Sequence, residues 1–264
     1  MDLDLKEIID DIRDIAVEAG ETVMEVYKDM HDDDVEMKSD DSPLTIADKR
    51  SNDVITKRLN DLGYDIPIIS EENRNAPWEE RKNYHYAWMI DPLDGTKEFI
   101  KENDEFTVNI ALLKDGSPIL GVVYAPVFKE EYWATKDGKA YKRPHKRRRR
   151  RIKVSEFQMD DKALRVVCSR SHMNAETSEF MGELKKPKPV YCGSSLKFIS
   201  IAKGEAELYP RIAPTMEWDT AAAQIIVEEA GGVVEAYASK EPLVYNKENF
   251  LNPYFIARGR IVEE

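Results

Sequence analysis

Asp91-Pro92-Leu93-Asp94-Gly95-Thr96 follows the apolar run Tyr86 to Ile90, and this junction decides how the rest of the chain reads. The run predicts a strand that delivers Asp91 at its end. Pro92 fixes its own φ and restricts the residue before it. Gly95 lets the backbone approach places that a Cβ would block. The segment therefore predicts a rigid turn that holds two carboxylates in fixed relation, with the Leu93 carbonyl between them. Gly95 to Ile100 predicts a helix start, whose free N–H groups suit a phosphate. Standing alone, Asp-Pro-x-Asp-Gly is an ordinary surface turn. Its neighbours have to decide.

Upstream, Leu5, Ile8, Ile9, Ile12, Ile15, Ala16, Ala19, Val23 and Val26 recur at three- and four-residue steps and predict an amphipathic helix over 3–27. His31 to Asp41 is polar and acid-rich and reads as a loop. A second helix is expected from Thr45 or Ala47 to Leu62, closed by Gly63. Ile66 to Ile69 predicts a short strand that delivers Ser70-Glu71-Glu72. Downstream, Phe106–Lys114 and Pro118–Ala125 flank Asp115-Gly116, and Glu131–Thr135 and Lys139–Tyr141 flank Asp137-Gly138. Both dipeptides are hairpin signals, so this stretch predicts an antiparallel meander.

After about residue 160 strands and helices alternate. Strands are expected at 164–168, 190–192, 207–209 and 233–234, and helices at 175–184, 195–203 and 220–229. The chain therefore divides into residues 1–160, carrying most of the acidic site, and residues 161–264, a smaller α/β half contributing Asp219. There is no Gly/Ser-rich linker, so the halves should pack tightly.

The 264 residues suffice for a sizeable core, and 42% hydrophobic content is ordinary for a globular protein. No apolar run approaches the roughly 18 residues of a membrane span. Acids in the first 20 residues speak against a signal peptide. Two cysteines suggest no disulfide framework and favour a reducing, cytoplasmic setting. A net charge of −12 speaks against a general DNA binder. Residues 142–153 oppose that average with nine Lys or Arg and no acid, including Arg147 to Arg151 in succession. Removing those nine cations from −12 leaves −21 on the remainder.

Glu71, Asp91, Asp94 and Asp219 all sit at the ends of expected elements, where open α/β sheets place ligands. Each also has a plain structural role: Glu71-Glu72 as a solvated strand end, Asp219 as a helix cap. Taken together they describe a site for hard divalent cations, which prefer oxygen ligands. Two ions roughly 3.5–4 Å apart could share Asp91.

Trp88 to Thr96 resembles the first signature of the inositol monophosphatase superfamily. Trp218-Asp219-Thr220-Ala221-Ala222 with Glu229-Ala230-Gly231-Gly232 resembles the second. Glu71-Glu72 and Pro43 to Asp48 resemble its upstream acidic segments. The resemblance covers nearly the whole chain and implies a layered αβαβα sugar-phosphatase fold of α+β and α/β character. Lys97-Glu98-Phe99 stands where inositol monophosphatases typically carry an Asn-Phe-x-His pattern. With Glu105 to Leu112, Gly193 to Phe198, Ala206 to Arg211 and Phe250 to Pro253, it is similar to the CysQ-like branch, the 3′(2′),5′-bisphosphate nucleotidases. That branch implies hydrolysis of 3′(2′)-phosphoadenosine 5′-phosphate to AMP and phosphate, recycling a by-product of sulfate assimilation.

By the resemblance, Glu71, Asp91 and the Leu93 carbonyl would hold one magnesium, and Asp91, Asp94 and Asp219 a second. Glu71 with waters would hold a weaker third. Asp48 and Thr96 would position the attacking water and help deprotonate it. Gly95 and Thr96 N–H groups would bind the transferred phosphate, and Gly193, Ser194 and Lys197 the nucleoside or second phosphate. Lys197 reads equally well as a surface cation. Inositol monophosphatase, fructose 1,6-bisphosphatase or a non-catalytic nucleotide- or RNA-binding role are the alternatives. The arginine run departs from the branch. It reads first as a solvated loop, then as a contact for substrate, RNA or an anionic membrane. The sequence does not fix the oligomeric state.

Overall fold

A computed structural model describes residues 3–29, 35–37, 43–168 and 174–263. Two helices open the chain, α1 (Leu5–Lys28) and α2 (Ile46–Asp61). The short strands β1 (Val35–Met37) and β2 (Pro43–Thr45) pair antiparallel between them. The stretch read as a loop over 31–41 thus contains a strand at 35–37, and its other residues lie outside the described ones. Asp4 caps α1 through its carboxylate, and Thr45 caps α2 in a capping box with Asp48.

A seven-stranded sheet follows in the order β3 (Ile68–Ser70), β4 (Tyr86–Asp94), β5 (Thr107–Lys114), β6 (Ser117–Ala125), β7 (Glu130–Thr135), β8 (Ala140–Pro144) and β9 (Arg150–Arg151). Only β3 runs parallel to its neighbour; the rest form the expected meander. The short helices α3 (Trp78–Arg81) and α4 (Thr96–Ile100) flank β4. The arginine run is more than a loop. Arg150 and Arg151 pair with Lys142 and Tyr141, closing a hairpin on the sheet edge.

β10 (Glu156–Phe157) leads into the second sheet, made of β11 (Arg165–Cys168), β12 (Lys188–Tyr191), β13 (Leu208–Arg211), β14 (Val233–Ala236) and β15 (Phe255–Arg258). Their order is β12-β11-β13-β15-β14, with α5 (Ala175–Gly182), α6 (Leu196–Ala202) and α7 (Ala221–Glu229) between the strands. The sheet is mixed, because β15 runs antiparallel to both neighbours. β16 (Arg260–Ile261) pairs with β10.

Period-two burial stacks these layers. Trp88, Ile90, Ile110 and Leu112 face α1 and α2, joining Ile8, Ile12, Ile15 and Ile55. Met89, Ala111, Leu113 and Val123 face the other way, onto α6 and α7. Those helices lie against the second sheet through Phe198, Ile225, Tyr209 and Phe255. Phe180 of α5 covers its far face with Val166 and Leu208. The result is the five-layer αβαβα arrangement expected.

Two departures position the site. The Asp91–Asp94 segment is a bulge inside β4 and not a turn beyond it. Asp91 pairs with Asn109 and Asp94 with Thr107, so β4 carries one extra residue. Pro92 has no N–H to give a ladder, and a bulge is where a strand tolerates it. The second departure is Gly121 on β6. A Cβ there would lie 2.2 Å from the Ala222 carbonyl oxygen and 2.5 Å from Ile225 Cγ2. Only a glycine lets α7 sit this close to the first sheet.

Candidate metal and phosphate site

Parallel pairing of β3 with β4 sets Ser70 beside Ile90, so Glu71 and Asp91 leave the same sheet end together. A polar lattice fixes the exit of β3. Asn75 accepts from the Ser70 N–H at 3.0 Å and donates to its carbonyl at 2.8 Å, while Ser70 Oγ donates to Asn52 Oδ1 at 2.7 Å. The bulge in β4 is pinned similarly. Ser51 Oγ donates to the Pro92 carbonyl at 2.7 Å, and the Leu93 N–H donates to Asp91 Oδ1 at 3.1 Å.

Asp219 arrives from the loop before α7, and Met216 N–H donates to its Oδ2 at 3.0 Å. Carboxylate oxygens of Glu71, Asp91 and Asp219 lie within 4.8 Å of one another. A cavity of about 210 Å³ is lined by these three with Leu93, Asp94, Gly95, Thr96, Lys97 and Glu98. Two hollows near 680 and 700 Å³ lie elsewhere, so size does not single this cavity out. Convergent charge does: five carboxylates meet one lysine here.

The electrostatics follow. Asp91 is 1% exposed, and burial pushes its carboxyl well above the usual range, helped by Glu71, Asp94 and Asp219. Asp219 is raised by burial, then by Asp94 and Glu71. A cation would relieve this repulsion, and the all-oxygen donor set suits a hard one.

Asp94 stands differently. Ser195 Oγ lies 2.6 Å from its Oδ2 and 2.9 Å from the Asp219 carbonyl, and Asn109 Nδ2 donates to Asp94 Oδ2 at 3.3 Å and to Ser195 Oγ at 2.9 Å. This cross-link between β5, α6 and the α7 loop went unread. Its signal was available: Thr107 and Asn109 are polar residues in an otherwise apolar strand, and both are buried.

Asp48, 2% exposed, sits behind Thr96. Its Oδ2 accepts from the Thr45 N–H at 2.8 Å and the Thr45 hydroxyl at 2.6 Å, and its Oδ1 lies 3.2 Å from Thr96 Oγ1. Gly95 adopts φ +95° at the start of α4, and a Cβ there would meet Ser194 Cβ and the Glu105 carbonyl at 3.2 Å. Gly193 packs on Glu98 and Glu105, so the 193–194 segment borders the cavity. The Ser194 hydroxyl is buried with no hydrogen-bond partner among the described residues. Lys197, on α6, does not line the cavity.

Glu217, wholly buried two residues before Asp219, anchors that loop. It pairs with Lys247 and accepts from the N–H groups of Asn246 and Lys247. Burial raises its carboxyl and Lys247 opposes the rise. Lys247→Met is expected to cost about 2–3 kcal/mol at pH 7, below the range for a fully buried pair because the lysine is partly exposed. A raised carboxylate costs nothing below its unfolded pKa and costs most above its folded one. The deficit should therefore shrink as pH falls toward about 4.5, which urea titrations at several pH values will show.

Comparison with known proteins agrees. A profile of the inositol monophosphatase family matches residues 4–261. The 3′(2′),5′-bisphosphate nucleotidase CysQ of Salmonella typhimurium is 44% identical over 94% of this chain and 98% of its own. The Escherichia coli K12 protein of that name is 45% identical over the same shares. The crystal structure of CysQ from Bacteroides thetaiotaomicron superposes with a TM-score of 0.85 at 36% identity, covering 98% of this chain and 99% of that one.

Proposed function

The chain belongs to the inositol monophosphatase family, and from that premise we propose that it is a magnesium-dependent 3′(2′),5′-bisphosphate nucleotidase. Its substrate would be 3′(2′)-phosphoadenosine 5′-phosphate and its products AMP and phosphate. The observation that carries the phosphatase reading is the convergence of Glu71, Asp91 and Asp219. Similarity to the CysQ relatives, with Lys97-Glu98-Phe99 after the first signature, favours the nucleotide over inositol phosphate.

Glu71, Asp91 and the Leu93 carbonyl would hold one magnesium, Asp91, Asp94 and Asp219 a second, and Glu71 through water a third. Bound there, the ions would lower the pKa of water and neutralise phosphoryl charge. The chain's own part is to move a proton and hold the phosphate. Thr96 Oγ1 faces the cavity with Asp48 Oδ1 behind it. It accepts a proton from the attacking water as its own passes to Asp48. The water's oxygen then bonds to phosphorus in line as the opposite bond from phosphorus to the ribose oxygen breaks, and that oxygen takes a proton from solvent water to leave as a hydroxyl. N–H groups of Gly95 and Thr96 bind the transferred phosphate, and Gly193 and the unpartnered Ser194 hydroxyl serve the nucleoside side. Lys197 supports the second phosphate from farther out. Among the described residues no helix is long and apolar enough to cross a membrane, and we place the enzyme in the cytoplasm.

A phosphate-release panel tests this. With magnesium, phosphoadenosine phosphate should exceed inositol 1-phosphate and fructose 1,6-bisphosphate in kcat/KM by at least about 10²-fold, a transition-state difference near 2.7 kcal/mol. Chelation should abolish release. Preference for inositol 1-phosphate would overturn the substrate assignment.

A further inference from the structure

Thr107 and Asn109 continue the β5 row of Ala111 and Leu113 that faces α6 and α7. Apolar side chains suit that row. Both positions are nonetheless polar, and with Ser195 at the start of α6 they are no more than 1% exposed. Buried polar groups cost stability unless they are paired, so their partners carry the explanation.

The hydrogen bonds run one way. Thr107 Oγ1 lies 3.1 Å from Asn109 Oδ1, which turns the amide nitrogen toward Asp94 and Ser195. Asn109 donates to Ser195 Oγ at 2.9 Å, which leaves the serine its own proton to give. Asp94 Oδ2 receives that proton at 2.6 Å, and a carboxylate is the stronger acceptor of the two in reach. The other is the Asp219 carbonyl at 2.9 Å. Asn109 and Ser195 thus converge on Oδ2, while Asp94 Oδ1 accepts no hydrogen bond among the described residues. One oxygen of Asp94 is held, and the other is left for a ligand in the cavity that Asp94 lines.

Ser195 also joins two like charges. Burial and then Asp94 raise the Asp219 carboxyl, so the two carboxylates repel. Ser195 grips Asp94 by its side chain and Asp219 by its main chain. Without that hydroxyl nothing on α6 opposes their separation. Glu71 and the Leu93 carbonyl stand outside this strut, and no hydrogen bond ties Asp91 to it.

We propose that Ser195, oriented by Asn109 and Thr107, is a positioning residue that holds Asp94 and Asp219 together for one cation and sets the affinity for that ion alone. The proposal rests on the metal-dependent site put forward above. Groups hydrogen-bonded behind a metal ligand typically carry about 10–100-fold in affinity, and an effect of that size is expected here.

Titration of metal-free protein with MnCl2, followed by the electron paramagnetic resonance of free Mn2+, tests this without turnover. Manganese shares the preference for oxygen ligands. Ser195→Ala and Asn109→Ala should each weaken one binding step by about 10-fold or more and leave the others within about 2-fold. The weakened step should be the one that Asp94→Asn reduces most. Ser200→Ala is the control, since it removes a hydroxyl of α6 that bonds the Leu196 carbonyl and no site carboxylate. In phosphate release, Ser195→Ala should need about 10-fold more magnesium for half-maximal rate, with kcat at saturating magnesium within about 3-fold of wild type. Circular dichroism checks folding, and Ser195→Cys, whose thiol is a weak donor, replaces either variant that does not fold.

Unchanged manganese affinity in the folded variants, equal weakening of every step, or the same loss in Ser200→Ala would overturn the proposal. So would a fall in kcat that added magnesium does not recover. A wild type that binds no cation would overturn the metal site and this proposal together. A wild type that binds manganese as expected but prefers inositol 1-phosphate would overturn the substrate assignment, and a selective loss in Ser195→Ala would still support the strut.

Discussion

Asp91→Asn is expected to lower phosphate release by about three orders of magnitude while leaving the metal-free protein as stable as wild type or more so. The substitution is nearly isosteric, and Asn Oδ1 can still accept from the Leu93 N–H that holds the bulge. What disappears is the charge. In the metal-free protein that charge is unfavourable, since burial and then Glu71, Asp94 and Asp219 raise the carboxyl of Asp91. For cation binding the same charge is needed in ionised form. Magnesium added to weakly buffered wild type should therefore release protons, as Asp91 and Asp219 give theirs up, and it should raise the melting temperature. In Asp91→Asn both responses should shrink. A variant retaining wild-type activity would remove Asp91 from the mechanism, and one that fails to fold would contradict the geometry of the bulge.

Gly121→Ala should be the most damaging single methyl in the molecule outside the site. The new carbon would lie 2.2 Å from a backbone carbonyl of α7 and cannot be relieved by turning a side chain. The helix has to retreat by more than about 1 Å to bring that 2.2 Å to ordinary contact distance. Overpacking of this kind costs about 3 kcal/mol, which lowers the melting temperature by roughly 6–12 °C in a chain of this size. Asp219 precedes α7 by two residues and moves with it, away from Glu71 and Asp91. A shift of about 1 Å in a catalytic group costs about 10²-fold in rate. Gly182→Ala is the control, since nothing lies within 4 Å of a Cβ there. Equal behaviour of the two variants in thermal melts and phosphate release would refute the argument.

The sequence made Glu71 and Asp91 legible as candidate ligands because each follows an apolar run that ends at one end of the first sheet, whereas Asp219 arrives from the loop before α7. The hairpin dipeptides Asp115-Gly116 and Asp137-Gly138 exposed the meander for the same local reason. What escaped depends on contacts between distant residues. Phe255–Arg258 became a strand only through pairing with β13 and β14, which no short window shows. The Asp91–Asp94 segment read as a turn because Pro92 and Gly95 are turn residues, yet Thr107 draws Asp94 back into the ladder. Asn109 and Ser195 are 86 residues apart and meet only in the folded chain.

The close seating of α7 on Gly121 also bears on how the protein is made. Glu71, Asp91 and Asp94 leave the ribosome well before Asp219, so the cation cage cannot close until the later helices have docked. A nascent chain therefore carries an incomplete cluster of carboxylates, and only the finished fold brings Asp219 to Glu71 and Asp91. On the proposed function, a divalent cation that binds the docked form and not the open one would act as a ligand for folding. Magnesium starvation should accordingly shorten the lifetime of newly made protein before it changes the catalytic rate of the molecules that have matured.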